Sequence, residues 1–150
     1  MRRVIRNNIW ETNSSSVHSL SIDDSGMEPS HLPINEYGEI LTDFGSFGKH
    51  LSYYNSQEDK LSYLITLCYY YAGYDKYRIE DNYVYNCIKD AICEYAGASG
   101  IHIINKNEPD IDHQSQPDSF EFSKIVDPYS VESIQQFVFN RYISLKTTCD

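Results

Sequence analysis

The sequence predicts an α+β or α/β fold, a single small domain spanning residues 1–150 in which a short sheet packs against about three helices. Three observations carry this reading. Apolar residues alternate or run together in short stretches at Val17–Ile22, Ile101–Ile104 and Tyr142–Lys146, as strands require. Three longer stretches, opening near Ser56, Asp81 and Asp127, repeat apolar residues at helical spacing. The resulting order of strand, helix, helix, strand, helix, strand shows no internal repeat and suits a small sandwich. A chain of 150 residues can bury a real core, and its 14 tyrosines supply large rings with polar tips, which argues against disorder.

From Val17 to Ile22 the alternation places His18, Leu20 and Ile22 on one face, expected to be the core side. Asp23 to Pro33, with Gly26, Pro29 and Pro33, reads as a loop. Glu36–Leu41 suits a short strand or hairpin arm, and Asp43–Gly48, with Gly45 and Gly48, a mobile turn. Ser56 can cap the first helix, with Glu58 and Asp59 at its positive end; Leu61, Leu64, Ile65, Cys68 and Tyr71 form its stripe before Gly73. The second helix begins near Asp81 and carries Val84, Ile88, Ala91, Ile92 and Tyr95 up to Gly97. Seven tyrosines between Tyr69 and Tyr85 have few basic neighbours beyond Lys76 and Arg78, so core and helix-interface packing is expected of them rather than base stacking. Ile101–Ile104 is nearly continuous, as in a central strand, and makes His102 a hydrogen-bonded structural residue. Asp127-Pro128 opens the last helix, striped by Val131, Ile134, Phe137 and Val138, and Tyr142–Lys146 closes the chain as a strand.

Composition narrows the function classes. The formal net charge is −10, so ordinary DNA or RNA binding is disfavoured by repulsion from phosphates. The first six residues hold Arg2, Arg3 and Arg6, whereas residues 108–132 hold seven acids against Lys124 alone. That acidic stretch is either a solvated face that favours solubility or a surface that competes with nucleic acid for a basic groove, with Glu108, Asp110, Asp118 and Glu121 as contacts. Cys68, Cys87, Cys93 and Cys149 form no Cys-x-x-Cys pair and no zinc-finger spacing, so reduced thiols and no metal or other cofactor are expected. No apolar stretch approaches the roughly 20 residues of a spanning helix, and Met-Arg-Arg-Val-Ile-Arg is not followed by a signal-peptide core. A soluble, cytoplasmic protein without membrane partners is the expectation.

The richest chemistry lies in Glu11-Thr12-Asn13-Ser14-Ser15-Ser16-Val17-His18-Ser19, eight polar side chains in nine residues, directly after Ile9-Trp10. A second polar word, Asp112-His113-Gln114-Ser115, follows the Ile101 strand. If the two meet, Thr12, Asn13, Ser14, Ser15, Ser16, Ser19, Gln114 and Ser115 can line a pocket for a polar or anionic ligand, with Arg2, Arg3 or Arg6 supplying charge. His18 or His113, oriented by Asp112 or Glu11, can act as a general base for a serine nucleophile. Against catalysis, adjacent residues on an extended segment point apart, and no Gly-x-Ser-x-Gly elbow is present. The third reading is a structural polar network that pins the N-terminal segment to the 112–115 loop.

The run Arg6-Asn7-Asn8-Ile9-Trp10-Glu11-Thr12-Asn13-Ser14-Ser15-Ser16-Val17-His18-Ser19 resembles an uncharacterised family carried by phages and mobile elements of low-GC Gram-positive bacteria. Its members begin with a basic, apolar lead-in and then Glu-Thr-Asn-Ser-Ser-Ser-x-His-Ser. The likeness extends to Lys60-Leu61-Ser62-Tyr63-Leu64, to Asp112-His113-Gln114-Ser115 and to Phe137-Val138-Phe139-Asn140. Such proteins often end the last strand in an acidic-amide cluster, where this chain has Thr147-Thr148-Cys149-Asp150. The resemblance implies a setting rather than an activity.

Two function classes follow. One is an accessory protein that inhibits a host defence protein or nucleoprotein complex by binding it, as anti-CRISPR proteins do. The other is a small enzyme or nucleotide- or phosphate-binding protein built on Glu11–Ser19 and Asp112–Ser115.

Overall fold

The computed structural model describes residues 8–11, 16–20, 26–49, 52–111 and 126–147; for 8–11, 16–20 and Tyr71 the description is of the backbone. In chain order the elements are β1 (Asn8–Glu11), β2 (Ser16–Leu20), β3 (Glu39–Thr42), β4 (Ser46–Phe47), β5 (Ser52–Tyr54), α1 (Gln57–Tyr71), α2 (Tyr83–Ala96), β6 (Gly100–Ile103), β7 (Asp110–Ile111), α3 (Val131–Phe139) and β8 (Ser144–Thr147). Three helices and short strands in small sheets make an α+β fold.

The largest sheet is antiparallel, in the order β1-β2-β8-β5. The expected closing strand thus lies inside the sheet. Leu145 and Thr147 are fully buried while Ser144 and Lys146 are half-exposed, the two-residue period of a strand with one face on a core. On one side Leu145 pairs with His18 and Thr147 with Ser16; on the other they pair with Tyr54 and Ser52.

Two parallel pairs stand apart from this sheet. β3 pairs with β6, Ile40 opposite Ile101 and Thr42 opposite Ile103, and β4 pairs with β7, Phe47 opposite Ile111. Parallel pairing demands a long crossover, which α1 and α2 supply in both cases. The hairpin expected around residues 36–41 is present. The Asn35 side chain accepts from the Tyr37 and Glu39 amides, Gly38 takes φ +81°, and Ile34 bridges Ile40. Asp43–Gly48, by contrast, is no mobile turn. It contains β4, and Phe44 and Phe47 are buried, Phe47 edge-on to Tyr54 and Tyr63 at 5.2 and 5.1 Å. Ile101–Ile104 is also not a central strand: among the described residues β6 pairs with β3 alone, His102 is exposed, and Ile104 is 48% exposed.

α1 is the axis of the core. The Ser56 hydroxyl accepts from the Asp59 amide at 3.1 Å, and Gly73 at φ +74° follows the helix end. Between them Leu61, Tyr63, Leu64, Ile65, Leu67 and Cys68 are all buried, more than one stripe, because the helix is covered on several sides. Lys60 is buried with them. Its Nζ donates to the carbonyls of Asn140 and Ile143 at 3.1 and 2.9 Å, tying α1 to the end of α3 and the start of β8. α2 is capped by Asn82, whose side chain accepts from the Tyr85 amide, and ends at Gly97 with φ +70°. Of its expected stripe, Ile88, Ala91 and Ile92 are buried and Val84 and Tyr95 partly so, Tyr95 stacking on Phe139 at 4.2 Å.

α3 begins later than expected. Asp127 to Ser130 form a turn in which the Asp127 carboxylate accepts from the Tyr129 amide, and Ser130 rather than Asp127 caps the helix through the Ser133 amide at 3.1 Å. Proline at 128 is buried in that turn, and Val131, expected in the apolar stripe, is 47% exposed. Among the described residues no helix is long and apolar enough to cross a membrane.

Candidate functional site

The first polar word occupies the edge half of the large sheet. Glu11 ends β1 opposite Val17, and Ser16, His18 and Ser19 lie on β2, with Thr147, Leu145 and Ser144 as their cross-strand partners on β8. The side chains of these residues, and Thr12, Asn13, Ser14 and Ser15 entirely, lie outside the described residues. So do Asp112, His113, Gln114, Ser115, Asp118 and Glu121. The expected meeting of Glu11–Ser19 with Asp112–Ser115, and the core-facing position of His18, therefore fall outside what is described.

Glu108 and Asp110, the two acids of the 108–132 stretch expected to face a basic partner, are in view and already have cations. Lys76 Nζ stands 3.2 Å from Glu108, and Lys49 Nζ 3.1 Å from Asp110, which also accepts from Ser46 Oγ at 3.4 Å. In sequence this stretch has Lys124 alone; folding brings Lys49 and Lys76 to it. Exposed pairs of this kind contribute roughly 0–1 kcal/mol, so a partner can displace either lysine, but these acids are not bare.

The tyrosine cluster departs further from expectation. Tyr85 is in the core, and Tyr69 and Tyr70 are half-buried, edge-on to one another at 5.1 Å and to Tyr74 at 5.7 and 5.5 Å. Burial pushes the hydroxyls of Tyr69, Tyr70 and Tyr85 to higher pKa, as loss of water penalises the phenolate. Tyr74, Tyr77 and Tyr83, however, are 55%, 71% and 71% exposed. Lys76 and Lys106 approach the Tyr77 ring to 5.7 and 5.3 Å, and Tyr83 meets the exposed Tyr129 at 6.0 Å. Tyr83 is among the seven tyrosines of which packing is expected, and Tyr129 does not stand out in the sequence. The available signal was position: Tyr83 lies off the 84, 88, 91, 92, 95 stripe, so a helix there turns it to solvent.

A shallow depression is lined by Ala72, Gly73, Asp75, Arg78, Asp81 and Asn82, but its polar groups serve one another. Arg78 pairs with Asp81 at 3.7 Å, the Asp75 carboxylate accepts from the Tyr77 amide, and Asn82 caps α2. Among the described residues no group of His, Cys, Asp and Glu is placed to hold a metal ion. Cys68, Cys87 and Cys93 are free thiols, and burial pushes the Cys68 thiol far up, which makes it inert as a nucleophile. Comparison with models of known families, with characterised proteins and with solved structures found no match to this chain.

Proposed function

We propose that the chain is an accessory protein of a phage or mobile element that inhibits a host defence complex in the cytoplasm of the host cell. It acts by binding, as anti-CRISPR proteins do, and competes for a basic nucleic-acid groove. One observation carries the reading: on a chain of net charge −10, the largest exposed side chains among the described residues are tyrosines. Tyr37, Tyr77, Tyr83 and Tyr129 are each about two-thirds exposed or more. Tyrosine offers much contact area for little lost side-chain freedom and is enriched where proteins meet. Acidic charge steers such a surface toward a basic partner and away from nucleic acid itself. The mobile-element resemblance of the Glu11–Ser19 word agrees in setting. The reading as a small enzyme or nucleotide-binding protein depends on the side chains of Glu11, His18, Asp112 and His113, which lie outside the described residues.

The test is competition. Guide-loaded CRISPR effector complexes from Gram-positive hosts are incubated with the chain, and DNA binding is measured at increasing salt. The expected result is loss of DNA binding by one of them, relieved as salt screens the charges within about 10 Å at 0.1 M. Undiminished DNA binding by every complex, with a small molecule co-purifying on the chain, would overturn the proposal in favour of the ligand-binding reading.

A further inference from the structure

α2 and α3 present one continuous face to solvent. Tyr83 opens α2, and Cys87, Asp90 and Glu94 follow it at four, seven and eleven residues, one stripe opposite the buried Tyr85, Ile88 and Ile92. Tyr129 precedes α3, whose outer side carries Val131 and Glu132. Gln135 Nε2 donates to the Ala91 carbonyl at 2.9 Å and locks the helices side by side. At one end the Tyr83 and Tyr129 rings lie 6.0 Å apart and tilted by 32°, 71% and 67% exposed, beside Val131 at 47%. Asp127 and Glu132 flank Tyr129 in sequence, and Asp90 and Glu94 lie two and three turns further along the α2 stripe; all four are exposed, and none is in an ion pair among the described residues.

This distinguishes the face from Glu108 and Asp110 and from the Tyr53, Tyr77 and Tyr142 rings, each of which has a cation beside it. Glu108 and Asp110 have lysines, and the Tyr77 ring already carries two cations. The Tyr83–Tyr129 pair has apolar area and rings available, on a face whose carboxylates are in no ion pair among the described residues. From this we propose that the α2/α3 face is the docking surface of the chain and that it takes an arginine-rich segment of the partner protein. The inference rests on the basic-groove reading above. Arginine fits better than lysine, because its planar guanidinium stacks on an aromatic ring while donating sideways to carboxylates. A second copy of the chain fits poorly, since it would set like charges against each other.

The experiment titrates the full chain with deca-arginine and with deca-lysine by calorimetry at low salt. Wild type is expected to bind deca-arginine more tightly than deca-lysine, by up to about fivefold, the full value of an exposed cation–π contact being the upper bound because lysine also approaches rings. That preference should vanish in Tyr83→Ala/Tyr129→Ala and persist in Tyr77→Ala. Both rings are mostly outside the core, so melting temperature should hold. If it falls, Glu94→Lys/Glu132→Lys leaves the rings in place and should weaken both peptides. An arginine preference unchanged in the double alanine variant overturns the inference. So does concentration-dependent dimerisation of wild type in the ultracentrifuge that the double variant abolishes. The groove-competition assay separates the two levels. If wild type and the double alanine variant displace DNA equally, the docking face is wrong and the basic-groove reading stands; if wild type displaces none, the reading itself fails.

Discussion

Replacing Lys60 by Met tests how the core is held at its polar point. The ammonium is buried, and burial pushes its pKa down to about 8 from 10.5, opposed by the charge of Glu28. The folded-state value lies below the unfolded one, so between the two the unfolded chain binds more protons and stability rises with pH. Integrated from pH 7 to pH 10, that shift corresponds to about 2 kcal/mol gained by wild type. This is a ceiling, because the carbonyls of Asn140 and Ile143 accept from Nζ and favour the charged form. Met removes the charge and also strands those two carbonyls, a net cost of about 1–3 kcal/mol at pH 7. Every other titrating group cancels in the comparison, so the penalty of Lys60→Met should grow as pH rises through this window. Urea unfolding of both proteins at pH 7, 8, 9 and 10 measures it. A penalty that is flat or shrinks with pH would refute the placement of Lys60 in the core.

Two further outcomes follow from the packing and a third from the sequence. The Tyr85 hydroxyl is buried with no hydrogen-bond partner among the described residues, so Tyr85→Phe should be neutral or raise stability by about 1 kcal/mol; a clear fall in the denaturant midpoint would reveal a partner. Gly26 has no room for a side chain: a Cβ would collide with the Asn140 carboxamide and the Tyr142 ring, whereas at Gly73 it meets nothing and strains only the backbone at φ +74°. Gly73→Ala should cost about 1–2 kcal/mol and Gly26→Ala more, and equal melting temperatures would contradict the packing of Gly26 against the 140–142 turn between α3 and β8. His18→Gln separates the function classes: a binder should keep its target affinity, whereas a general base would lose roughly 100-fold in turnover, so retained folding and binding with lost inhibition would favour catalysis.

Local signals in this chain act within a turn or two, and those were legible. Ser56, Gly73 and Gly97 bound their helices where expected, because a capping hydroxyl and a left-handed glycine satisfy backbone groups of the neighbouring turn whatever lies further off. Where two local signals competed, the nearer cap won: Ser130 sits against the α3 amides, and Asp127-Pro128 forms the preceding turn. The strand expected after the serine-rich word is present as β2.

What the sequence by itself determined is therefore the class of the fold, the helices with most of their buried stripes, and the acidic balance. The tertiary structure alone decided which strands pair. Ile101–Ile104 looked central because its residues are apolar, yet its neighbours are chosen by crossovers through α1 and α2 and leave His102 in solvent. It alone sorted the tyrosines, since ring burial depends on what packs above each position, and it alone brought Lys49 and Lys76 to acids some 60 and 30 residues away. It also buried Lys60, whose partners are carbonyls 80 and 83 residues later. The physical reason is range: caps and periodicity are written in adjacent turns, whereas pairing, burial and charge neutralisation are properties of groups that meet only after the chain has folded.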